Sequence, residues 1–159
     1  MTDHILSGPP ESWTRLPVQT LFSLSKFELD SLQLHWAQTR FQQLQEHIPA
    51  LDALAEKQGV KIITDFETLA TILFTHQVYK NYPFAFIERK LFTELTRWLN
   101  KLTAHDLSSL DMRGVNTIDE WLTRLDEAGM FVFHSTGTSG KLSFFPRSQT
   151  EKEAWVEGT

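Results

Sequence analysis

The densest concentration of chemistry in the chain is one run, Ser135-Thr136-Gly137-Thr138-Ser139-Gly140-Lys141. Phosphate oxygens are held best by several backbone N–H groups pointing into one concavity. A chain forms such a nest only where small residues permit unusual dihedrals and close approach. Gly137 and Gly140 meet that need, the hydroxyls of Ser135, Thr136, Thr138 and Ser139 add donors, and Lys141 supplies a point charge toward the terminal phosphates. His134, Ser143 and Arg147 flank the run and are secondary candidates. An arginine pairs well with phosphate, although one near a helix start is commonplace, and a histidine ending a strand more often bonds backbone or water.

Through Gly140 the run resembles the signature loop of the adenylate-forming (acyl-activating, AMP-binding) enzyme superfamily, Thr/Ser-Ser-Gly-Thr-Thr/Ser-Gly followed by Xaa-Pro-Lys-Gly. It then departs. Leu142, Ser143 and Phe144 stand where acyl-CoA ligases have Pro, Lys and Gly, so Lys141 is displaced from the usual lysine. A Gly-Lys-Xaa-Ser continuation is instead similar to the acyl-protein synthetases of bacterial bioluminescence. The resemblance implies an ATP-dependent ligase with Mg2+ beside the nucleotide. A carboxylic acid substrate attacks the α-phosphate to give an acyl-adenylate and pyrophosphate, and a thiol or protein acceptor then takes the acyl group. It also implies later motifs: an aromatic adenine-binding segment, an acidic ribose contact, a magnesium-binding Glu and a C-terminal domain with a catalytic lysine. Ser135 lies too near Thr159 for these to follow it, so the chain is expected to be an N-terminal fragment of a larger enzyme, inactive alone.

Competing chemistries fit less well. A P-loop NTPase needs Gly-Xaa4-Gly-Lys-Ser/Thr with a helix directly after it; here Ser135 replaces the first Gly, Leu142 replaces the hydroxyl, and a strand-like segment follows. An ordinary hairpin connection also favours Gly, Ser and Thr, and that reading stays open. The histidines at 4, 35, 47, 76, 105 and 134 show no i, i+4 pair and there is no cysteine, so no metal site is expected. Tyr79, Lys80, Tyr82 and Pro83 can line an acyl pocket or meet a partner, but packing of an aromatic loop is the simpler account.

Composition narrows the field. The 159 residues carry 41% apolar and 22% charged side chains, ordinary for a globular protein and unlike a disordered one. With 15 basic against 20 acidic residues and no Lys/Arg cluster, nucleic acid is not an expected partner. The start of the chain has no basic flank ahead of an apolar stretch, and no run is long and apolar enough to span a bilayer. A cytoplasmic, soluble protein is expected.

The elements that must hold the loop read as an α-rich α/β arrangement. Residues 1–17 are expected to be an extended arm pinned by Trp13 and Leu16, residues 18–128 a helical region, and residues 129–159 a strand-loop-strand unit with the start of a helix. Four capping-box patterns punctuate the chain: Ser25/Glu28, Thr64/Glu67, Thr117/Glu120 and Ser148/Glu151. Leu34, Ala37, Phe41, Leu44 and Ile48 form a stripe on a first long helix, ended or bent at Pro49. A short helix with Leu51, Leu54 and Ala55 then runs to a Gly59 C-cap, and Val60–Ile63 reads as a brief strand. Phe66, Leu69, Ala70 and Leu73 are expected inward on the next helix, and Phe84, Ile87, Leu91, Leu95, Trp98 and Leu102 mark a second long one. Ile118, Trp121, Leu122 and Leu125 define a third, stopped by Gly129. Met130–His134 reads as a strand buried on both faces and Leu142–Pro146 as another. Together these are the expected first strands and phosphate loop of an incomplete adenylate-forming N-terminal domain. The alternative is a non-catalytic helical interaction module that associates through exposed apolar surface.

Overall fold

A computed structural model describes residues 8–135 and 140–157. The first of these do not run extended: Pro10–Arg15 coil into a 3-10 turn, with the Trp13 indole N–H donating to the Gly8 carbonyl at 3.0 Å. Pro10 opens that turn without losing a needed donor. Helix α1 (Val18–Phe22) follows, then α2 (Lys26–Leu44). Ser25 and Glu28 cap α2 reciprocally, as the sequence pattern predicts.

The first three residues of the α2 stripe pack as expected, while the helix ends at Leu44 and Ile48 lies beyond it. Leu34, Ala37 and Phe41 meet Ala55 from α3 (Pro49–Gln58), together with Ile63 and Ile72. Between α2 and α3 the chain tightens into a 3-10 turn at Gln45–His47 and turns extended at Ile48, the conformation a following proline imposes. Gly59 ends α3 at φ 68°, and the Val60 N–H reaches the Ala55 carbonyl at 2.9 Å, closing a Schellman motif.

Four expectations change in the next stretch. Val60–Ile63 forms no strand: Ile63 is buried in the helical cluster, and its carbonyl accepts from the Gln38 side chain at 3.0 Å. Ile63 and Val60 pack into that cluster rather than join a sheet, and Ile62 is exposed. Helix α4 (Phe66–Thr71) is capped by Asp65, not Thr64; the carboxylate accepts from the Thr68 N–H at 2.7 Å. The helix ends before Leu73, which is exposed, as are Phe66 and Ala70, while Ile72 takes the buried place. The second long helix is two: α5 (Ala85–Glu88) and α6 (Phe92–Leu99). Lys90 sits between them at φ 55°, and the Leu91 N–H closes onto the Phe86 carbonyl at 2.7 Å, a helix stop made without glycine.

Helix α7 (Ile118–Glu127) starts at Thr117, whose hydroxyl accepts from the Glu120 N–H. Glu120 in turn accepts from Asn116, one residue earlier than a full capping box requires. Gly129, at φ 82°, stops it and turns the chain directly into β1 (Met130–Ser135). Strand β2 (Ser143–Ser148) pairs antiparallel with β1, Val132 opposite Pro146 and Ser135 opposite Ser143. A reciprocal Ser148/Glu151 box then opens α8 (Gln149–Glu157). The architecture is therefore mostly helical with one two-stranded antiparallel hairpin among the described residues.

Strand β1 is not buried on both faces. Met130 and Val132 are buried, while Phe131 and Phe133 are only half-covered. Lys152 of α8 lies 4.3 Å over the Phe131 ring, and Trp155 meets Phe133 at 4.9 Å. One amphipathic helix gives that face partial shelter, where a second sheet layer would give full burial.

The main core joins Phe92, Leu95 and Leu99 of α6 to Trp121 and Leu125 of α7, Met130 and Val132 of β1 and Phe144 of β2, with Tyr82 beside them. Inside it the Trp121 indole N–H donates to the Thr96 hydroxyl at 2.8 Å, which donates to the Phe92 carbonyl at 2.8 Å. Thr96→Val keeps the volume but strands that buried N–H, a loss of about 1–3 kcal/mol. A urea melt of the variant should show it as a lower midpoint with unchanged slope. Among the described residues no helix is long and apolar enough to cross a membrane.

Candidate functional site

The run of small residues joins the two strands of the hairpin. Ser135 closes β1 and Ser143 opens β2, directly opposite each other. Gly140 has φ +72°, a left-handed conformation in which any side chain is strained. Thr136, Gly137, Thr138 and Ser139 lie outside the described residues.

Lys141 is anchored rather than free. Its ammonium donates to the Tyr82 carbonyl and sits 4.4 Å over the Tyr82 ring, a cation–π contact. Burial holds the amine below the ordinary lysine range, and the charge of Lys80 pushes in the same direction. An ammonium has three N–H donors, so this anchoring leaves others for a ligand.

Tyr82 is what makes the anchor firm. Its ring is fully buried between Trp98, at 5.0 Å, and Phe144, at 5.4 Å, and its hydroxyl donates to the Leu142 carbonyl at 2.9 Å. The preceding Tyr79 ring lies 4.6 Å from Phe145. The aromatic loop thus packs along β2, and packing is the account the contacts of Tyr79 and Tyr82 support. These long-range contacts had no signal in the sequence, where Tyr82 and Lys141 are simply distant.

Of the secondary candidates, Ser143 is buried at the root of the loop and His134 is exposed one step along β1. Arg147 is exposed opposite Phe131. It lies four residues along β2 from Ser143, roughly 13 Å away at strand spacing, so it is not grouped with the loop. Its charge instead acts on Tyr79.

Burial raises both tyrosines, the only two in the chain: Tyr79 upward and Tyr82 to about 12. An absorbance titration should therefore find no tyrosine ionising at the free value of about 10 in the native protein, and both doing so in denaturant. A raised acid binds its proton more tightly when folded, so the associated stability is complete below about 10 and is lost as pH rises through about 12. A native transition near 10 that accounts for both tyrosines would show that Tyr82 is not sealed.

Among the described residues no three His, Asp or Glu side chains gather into a site that would hold a metal ion by themselves. No family model, no curated protein and no solved structure matches the chain.

Proposed function

We propose that the chain carries the ATP-phosphate loop of a carboxylate-activating ligase, with the adenine, ribose, magnesium and catalytic-lysine elements supplied by residues outside these 159. The supporting observation is the run Ser135–Lys141 itself, set as the connection of an antiparallel hairpin with Gly140 in the left-handed region. In that reading Ser135 to Gly140 hold the pyrophosphate portion of ATP by backbone N–H groups and hydroxyls, and Lys141 secures the end of the loop. The full reaction condenses a carboxylic acid with ATP, releases pyrophosphate, and passes the acyl group to a thiol or protein acceptor. The chain by itself binds ATP weakly and has no pyrophosphate-exchange activity.

The 31P resonances of ATP test this. Adding the protein should broaden the β and γ signals at millimolar nucleotide, and Thr138→Val with Ser139→Val should abolish the effect. Unchanged resonances, or broadening that survives both substitutions, overturns the reading.

A second reading, a non-catalytic interaction module, draws on the exposed apolar side chains. Phe22 and Phe27 are 84% and 80% exposed, and Leu73, Trp155 and Val156 are also open to solvent. Side chains of this kind favour a mating partner where they join into one contiguous patch. Concentration-dependent sedimentation would support association, and a strict monomer at high concentration would count against self-association.

A further inference from the structure

Lys141 is not the only cation near the root of the loop. The Val78–Lys80 turn and the residues after it run beside β2: Tyr79 meets Phe145, the Tyr82 hydroxyl holds the Leu142 carbonyl, and Lys141 reaches back to the Tyr82 carbonyl. These contacts set the backbone of Lys80, two residues before Tyr82, beside β2. Lys80 is half-buried, and its charge is felt at Lys141. Among the described residues neither lysine has a carboxylate partner. Two like charges held together without a counter-charge oppose folding, and a polyanion placed between them removes that cost.

We propose that Lys80 and Lys141 together form a polyanion site at the base of the loop, with Lys80 as a binding residue for the pyrophosphate portion of the nucleotide. The identity of the ligand rests on the phosphate-loop reading; the pairing of the lysines rests on the packing of the 78–82 segment against β2. Lys141 donates one N–H to Tyr82 and offers the others, while Lys80 supplies a second set.

The test uses the 159-residue protein with sodium pyrophosphate as the probe, at constant ionic strength, with affinity read from amide chemical shifts. Lys80→Ala and Lys141→Ala should each weaken binding about tenfold, the effect of losing one charge-assisted contact. Lys80→Arg, which keeps the charge, should stay within about threefold of the unsubstituted protein. Thermal midpoints of all variants establish that they fold. If Lys80→Ala binds normally while Thr138→Val with Ser139→Val loses binding, the role of Lys80 is overturned and the loop reading stands. If the loop substitutions bind normally while Lys80→Ala is weak, the loop reading falls and the lysine pair remains a polyanion site. Absence of saturable binding, or an equal response to chloride, overturns both.

Discussion

Trp121→Ala is expected to lower stability by about 3–5 kcal/mol, a fall in melting temperature on the order of 10 °C. The indole is completely buried, stacks 6.5 Å from Phe92, meets Phe144 edge-on at 5.0 Å and donates to Thr96. It is therefore the residue through which α6, α7 and the hairpin share one core. Truncation leaves a cavity that all three must line and frees the Thr96 hydroxyl from its donor. Trp121→Phe keeps much of the volume and should cost only about 1–3 kcal/mol, mainly in lost contacts and the missing hydrogen bond. Equilibrium denaturation of the two variants separates packing from hydrogen bonding. Equal losses for Ala and Phe would mean that packing around the ring contributes little.

Tyr82→Ala should cost a similar amount, about 3–5 kcal/mol, but with a second consequence at the loop. The ring supports Lys141 from below, and the hydroxyl ties down Leu142. Without either, the C-terminal root of the loop loses its attachment to the core. Tyr82→Phe removes only the hydroxyl; the ring and its cation contact remain, so stability should fall by about 0.5–1.5 kcal/mol. Amide exchange at Lys141 and Leu142 reports the difference: fast in the Ala variant, slowed nearly as in the unsubstituted protein in the Phe variant. Equal exchange in both would show that the ring does not anchor the loop.

Sequence patterns were most informative where local chemistry alone decides the structure. The Ser25 and Ser148 boxes, the Gly59 and Gly129 stops and the Ile118–Leu125 stripe depend on residues within a turn or two of one another. The hairpin was legible too, because two short apolar runs flank a glycine-containing connection. What failed depended on tertiary choice. Lys90 takes a left-handed conformation that sequence reserves for glycine, so the break between α5 and α6 left no mark. Asp65 outcompetes Thr64 as a cap although both are capable. Val60–Ile63 has strand composition but no strand beside it. At the site, the loop was visible as a motif, whereas the seat that Tyr82 provides for Lys141 spans 59 residues and depends on how the core packs.

We propose that the hairpin connection binds phosphate. Amide chemical shifts of the 159-residue protein, followed residue by residue during a titration with ATP, test it most directly. The expected result is saturable movement concentrated at residues 135–141, reproduced by pyrophosphate and not by adenosine. Shifts confined to other surfaces, or an equal response to adenosine, would contradict a phosphate-binding loop.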